Sequence, residues 1–155
     1  MKKLLSVILI TLLLVTLSAC TNNSKSPKEI TNYLTEELDI EGLTTVKGET
    51  LSHYFGFTIE SLESFSFVVS ADDNKADMIA AFEVKNDETQ KQVIDGIGNY
   101  LSGKASILKT NMTTEYNKIS NRVIYKYNNI IVLVVCGDSN TAIKALEEIG
   151  ATELK

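Results

Sequence analysis

From residue 64 the chain alternates. In SFSFVVS, Phe65, Phe67 and Val69 point one way and Ser64, Ser66, Val68 and Ser70 the other, the period-two pattern of a half-buried strand. After the polar stretch Ala71–Lys75 the alternation resumes over Asp77–Lys85, with Met78, Ala80, Phe82 and Val84 opposing Asp77, Ile79, Ala81, Glu83 and Lys85. Two further strands are predicted at Arg122–Tyr127 and Ile130–Cys136. Asn128-Asn129 joins them, because asparagine tolerates the positive φ that a two-residue hairpin turn demands. Ile130–Cys136 is apolar without a break, as expected of a central strand covered on both faces.

Between the strands the period lengthens. Ser26-Pro27-Lys28-Glu29 supplies a cap, a proline for the first helical position and a reciprocal glutamate; Ile30, Leu34 and Leu38 then share one helical face. A short helix is expected at Glu49–Phe55, ending near Gly56. Asp87-Glu88-Thr89-Gln90 reads as another cap, opening a helix with Val93, Ile97 and Leu101 on one side and an end near Gly103. Gly96 and Gly98 each weaken it by about 1 kcal/mol relative to alanine, so its middle is expected to be irregular. Short helices are also expected around Thr113–Ile119 and Ser139–Ile149, the latter stopped by Gly150. The fold class that follows is α+β: a mainly antiparallel sheet of about four strands, with helices packed mainly on one face as a two-layer sandwich.

The N-terminus has a different character. Met1-Lys2-Lys3 precedes an apolar run from Leu4 to Ala19. Sixteen helical residues would cover roughly 24 Å, short of the ~30 Å hydrocarbon core. A basic start, a short apolar core and small residues before a cut site describe a signal peptide. Leu17-Ser18-Ala19-Cys20 resembles a bacterial lipobox. That resemblance implies cleavage between Ala19 and Cys20 and diacylglycerol on the Cys20 thiol, with two chains enough for stable membrane attachment. The expected organisation is a signal peptide over 1–19, a lipidated cysteine with a short polar tether over 20–26, and one α+β domain over 27–155. No other cofactor is expected.

Charge narrows the partners. Removing residues 1–19 takes Lys2 and Lys3 and no acid, so 15 basic residues become 13 against 20 acids, a net of about −7 for the mature chain. Nucleic acid, which needs phosphate-neutralising side chains, is a poor match. Electrostatic adhesion to an anionic membrane is equally disfavoured, which leaves membrane affinity to the lipid. The chain has two cysteines; with Cys20 committed to lipid, Cys136 lacks an intramolecular partner, and stability has to come from burial.

Over roughly Glu49–Gly150 the chain resembles a family known only as a domain of unknown function, whose members are small lipoproteins of low-GC Gram-positive bacteria. The residues that carry the resemblance are ESLESFSFVVS, then ADMIAAFEVKN leading into a helix, a short tyrosine-containing helix, and VIYKYNNIIVLVVCGD. Such families commonly place glutamate at the start of the second strand, where this chain has Asp77. The resemblance implies a cell-surface lipoprotein and supplies no activity.

Candidate chemistry is sparse. Cys136 with His53 would be a nucleophile and base, but Cys136 closes an apolar strand, the setting of a small buried hydrophobe. Asp72, Asp73, Asn74 and Asp77 cluster oxygen ligands, yet the spacing of a calcium loop fails at Ala76; a solvated turn is the plainer reading, and no metal site is expected. Glu60, Glu63, Asp77 and Glu83 could pair as carboxylates of an envelope-polymer hydrolase, which needs two of them about 5–9 Å apart in one cleft. For binding, the second face of the sheet offers Val68, Ile79, Ala81 and Ile124 among Ser66, Glu83 and Lys126. Left uncovered, it would be an apolar patch with a polar rim; covered by the helix Lys28–Leu38, it would be core. The function expected is a non-catalytic binding or accessory module, lipid-anchored at the outer face of the cell membrane. Its partner would be an envelope protein or a small ligand.

Overall fold

The computed structural model describes residues 24–154. The segment expected to be a signal peptide, with Ala19, and the expected lipidation site Cys20 lie outside the described residues. The elements are α1 (Pro27–Glu37), β1 (Leu43–Thr45), α2 (Leu51–Phe55), β2 (Leu62–Ser70), β3 (Met78–Val84), α3 (Asp87–Leu108), α4 (Thr113–Ser120), β4 (Val123–Tyr127), β5 (Ile130–Val135), α5 (Ser139–Glu148) and β6 (Thr152–Glu153). The strands form one open sheet in the order β1-β2-β3-β5-β4-β6, antiparallel at every pairing. The fold is thus α+β as expected, but with six strands rather than about four. The two extra strands are edge strands of two or three residues, too short to show a period. Short edges also leave little free backbone for another chain to pair with.

The central strands are buried on both sides. Met78, Ala80, Phe82, Ile131, Leu133 and Val135 join one core, together with Val93, Ile97 and Leu101 of α3. Ile79, Ala81, Ile130, Val132 and Val134 join a second, under Ile30 and Leu34 of α1 and Ala142, Ala145 and Leu146 of α5. Helices therefore cover both faces, and the two-layer expectation is corrected to three layers. Inward-facing residues of β3 and β5 are apolar on both pleats, and each apolar pleat needs a cover. The first core is the aromatic one: Phe55 packs with its ring 5.2 Å from those of Phe67, Phe82 and Tyr100.

The caps follow their sequences, with one exchange of partners. The Ser26 backbone N–H donates to Glu29 Oε2 at 2.8 Å and the Glu29 N–H donates to Ser26 Oγ at 3.4 Å, closing the capping box of α1. At α3 the cap is Asn86, which accepts from the Thr89 N–H at 3.0 Å. Gln90 is used otherwise, accepting from Lys126 Nζ at 2.6 Å. The helix is regular through both glycines and runs 22 residues to Leu108, five residues beyond Gly103. A β-carbon on Gly96 would collide with the Phe55 carbonyl oxygen, so this glycine is where α2 and α3 touch, while Gly98 faces open space.

Candidate functional site

The apolar residues proposed as an open sheet face do not form one. Ile79 and Ala81 are fully buried beneath α1, and the rim residue Ser66 is hydrogen-bonded to Thr31 of that helix at 2.6 Å. Val68 is half-buried at the edge of the same core, paired with Ile79. Ile124 lies on the opposite face: Val123 pairs with Val134 and Ile124 with Leu133, which puts Ile124 against the first core. The two-residue turn is where expected, with Tyr127 opposite Ile130, although of its two asparagines only Asn128 takes a positive φ, 54°; its phase relative to β3 is set by the β3–β5 register. That register joins strands more than forty residues apart and cannot be read locally.

Of the proposed carboxylates, Asp77 lies at the opposite end of β3 from Glu83, and Glu63 sits at the β2 bulge between the residues that pair with Val84 and Glu83. Asp77, the residue before β3, and Glu83 within it are six residues apart in extended chain, about 20 Å at strand rise. Glu83 accepts from Ser64 Oγ at 2.5 Å and Asn129 Nδ2 at 3.3 Å. Glu60 and Glu63 are exposed. Asp72 accepts from the Asn74 backbone and side chain at 3.0 and 3.2 Å, an Asx-type turn. Among the described residues no three histidine, cysteine or acidic side chains converge as metal ligands. His53 is exposed on α2, over the first core, whereas Cys136 belongs to the second.

What the fold assembles instead lies at the end of the sheet where β3 begins and β5 ends. Lys118 of α4 places Nζ 2.7 Å from Asp77 Oδ2 and 3.1 Å from Glu115 Oε2. Glu115 also accepts from the Ala76 backbone N–H at 2.7 Å. One ammonium is thus held between two carboxylates, and one carboxylate ties α4 to the start of β3. Burial works against the Lys118 charge, but its hydrogen bonds to Asp77 and Glu115 outweigh it and raise its pKa above the ordinary lysine value. Extending the Met78–Val135 register by one residue sets Cys136 beside Asp77. Burial raises the Cys136 thiol pKa, the Asp138 backbone N–H opposes this, and the Asp77 charge adds to the rise; such a thiol is a poor nucleophile at neutral pH.

Next to this cluster is a groove of about 430 Å³ along the C-terminal half of α3, lined by Asp73, Tyr100, Gly103, Lys104, Ile107 and Leu108. Its walls are mainly apolar, whereas those of the depressions beside Arg122 and beside Thr58 are mainly polar. Ile107 is 78% exposed, far more than any other large hydrophobic side chain described. Burial lowers the Lys104 pKa, opposed by the charges of Asp73, Glu115 and Asp77. Tyr100 is pushed up to about 12, mostly by burial, with smaller contributions from Tyr54 and Asp73. The groove therefore offers an apolar wall, a phenol and one charge of each sign.

With the geometry in place, comparison with known proteins adds the family. A family model described as a domain of unknown function, DUF4358, matches residues 36–136. The chain belongs to this family. The DUF4358 match takes in β1 to β5 and α2 to α4, hence the aromatic core, the Asp77–Lys118–Glu115 cluster and the groove. Most of α1 and all of α5, which cover the second face, lie outside it. No curated protein and no solved structure matches the chain.

Sequence reasoning missed Lys118, Glu115, Tyr100, Lys104 and Ile107. The Glu115–Lys118 spacing of three on a short helix was a visible signal. The separation of 41 positions between Asp77 and Lys118 carried none.

Proposed function

We propose that the protein is a lipid-anchored binding module of the bacterial cell surface, attached through Cys20 and acting without catalysis on an envelope protein. The recognition surface is the groove on α3 rather than the sheet face, and the observation that carries this is Ile107. A large aliphatic side chain left in solvent beside an apolar wall gains about 1.5–3 kcal/mol when a partner buries it, and mixed charge at Asp73 and Lys104 gives such a contact its orientation. The resemblance of Leu17–Cys20 to a lipobox and the absence of any basic excess support attachment by acyl chains rather than by charge.

The test is site-specific photocrosslinking in intact cells, with the photoreactive residue at Ile107 or, as a control, at exposed Asp95 on the same helix. An extracytoplasmic protein captured from position 107 only, and lost with Lys104→Glu and with Cys20→Ala, is the expected result. Equal capture from both positions would remove the groove from consideration.

A further inference from the structure

We infer that the domain stands on the membrane by its β4–β5 hairpin end and presents the α3 groove away from the bilayer, to a partner domain that rises clear of the lipid. The inference rests on the lipid-anchor reading above and adds the orientation and the class of partner.

The first described residues are docked on the domain. Asn128 Nδ2 donates to Ser24 Oγ at 3.3 Å, and the Lys25 N–H donates to the Tyr127 hydroxyl at 3.3 Å. Lys25 Nζ lies 5.6 Å from the centre of the Tyr33 ring. The chain thus enters the domain at the hairpin turn Asn128-Asn129. From Cys20 to Ser24 there are four residue steps, at most about 14 Å when fully extended. This is shorter than the ~20 Å that residues 21–26 would span as a free tether, because Ser24 and Lys25 are held. With Cys20 in the interface, the hairpin end cannot stand further from the lipid than this.

The groove is at the other end. The Val84 N–H donates to the Asn129 carbonyl at 2.9 Å, so β3 ends, and α3 begins, beside the hairpin. From there α3 runs back along the sheet for 22 residues, about 33 Å. Tyr100 is about 20 Å along the helix axis from its start and Leu108 about 32 Å. Asp77, at the far end of β3, and Lys118, bonded to it, mark the same distal end. With α3 upright on the hairpin end, these separations exceed the ~8–10 Å Debye length at physiological salt and carry the groove outside the field of the lipid headgroups. A bilayer-embedded segment cannot reach it; the ectodomain of an envelope protein can.

The experiment uses the full-length, lipidated protein carrying Cys136→Ser and one fluorophore, placed through Glu88→Cys or Ile107→Cys. Both positions are exposed and lie 19 residues apart on α3, about 28 Å, so the helix itself is the ruler. The protein is reconstituted in phosphatidylglycerol–phosphatidylethanolamine vesicles that contain a headgroup spin-labelled quencher. Loss of emission at position 88 with none at position 107 is expected, and Cys20→Ala abolishes the loss at 88. Equal quenching at both positions, or stronger quenching at 107, overturns the orientation while leaving the anchor intact. A mass spectrum without diacylglycerol on Cys20 overturns the anchor reading and this inference together.

Discussion

The carbonyl oxygen of Phe55 occupies the space that a β-carbon on Gly96 would need. This contact lets the short helix α2 lie against α3, and it brings Phe55 into ring contact with Phe57, Phe67, Phe82 and Tyr100. A backbone oxygen cannot swing aside as a side-chain terminus can, so relief would require one helix to move.

Gly96→Ala is therefore expected to destabilise the domain by about 1–3 kcal/mol through overpacking, despite the better helix propensity of alanine. Gly98, two residues on and in open space, is the control: Gly98→Ala is expected to stabilise by up to about 1 kcal/mol. Urea midpoints of the two variants should move in opposite directions.

Ile79 tests whether the second sheet face is core. It is completely buried under α1, so Ile79→Ala should cost about 2–5 kcal/mol, and Ile79→Asp should unfold the domain. A well-folded Ile79→Asp variant, judged by near-ultraviolet circular dichroism and a cooperative thermal transition, would contradict the placement of α1.

Alkaline pH should weaken the fold. Tyr100 and Lys118 both have folded pKa values raised above their ordinary ones, Tyr100 to about 12. Each holds its proton more tightly when folded, so its contribution is complete below the unfolded pKa, near 10 for tyrosine and 10.4 for lysine. That contribution is lost as pH rises through the folded value. Melting temperature should thus fall between about pH 10 and 12. The fall should be shallower in Tyr100→Phe, and tyrosinate absorbance should show the corresponding late-titrating group.

The Cys136 thiol should be silent in the native state. It is buried at the end of β5, with its pKa raised by burial and by the Asp77 charge. Reaction with a water-soluble disulfide reagent at pH 8 should be slow in buffer and fast in denaturant. Fast native labelling would place the thiol at the surface instead.

The four long strands, their inward residues and the Asn128-Asn129 turn were legible because each depends on neighbours within a few positions. Phe65, Phe67 and Val69 share a pleat whatever the rest of the chain does, and Ser26 with Glu29 closes a cap within one turn. The irregular middle expected for α3 was wrong for a tertiary reason: packing against Phe55 and Phe57 sustains the helix through Gly96, and propensity alone cannot anticipate that. The end of α3 at Leu108, five residues past Gly103, fits the burial of Leu108 in the aromatic core.

The sequence by itself determined the four long strands, the five helices, the charge balance and the apolar character of both pleats of β3 and β5. Only the tertiary structure decided what covers those pleats, which face Ile124 takes, and that Asp77, Glu115 and Lys118 meet. Side-chain direction and capping are set over two to four residues of chain. Strand register and helix placement are set by contacts between segments tens of residues apart, whose energy appears only when both segments are present.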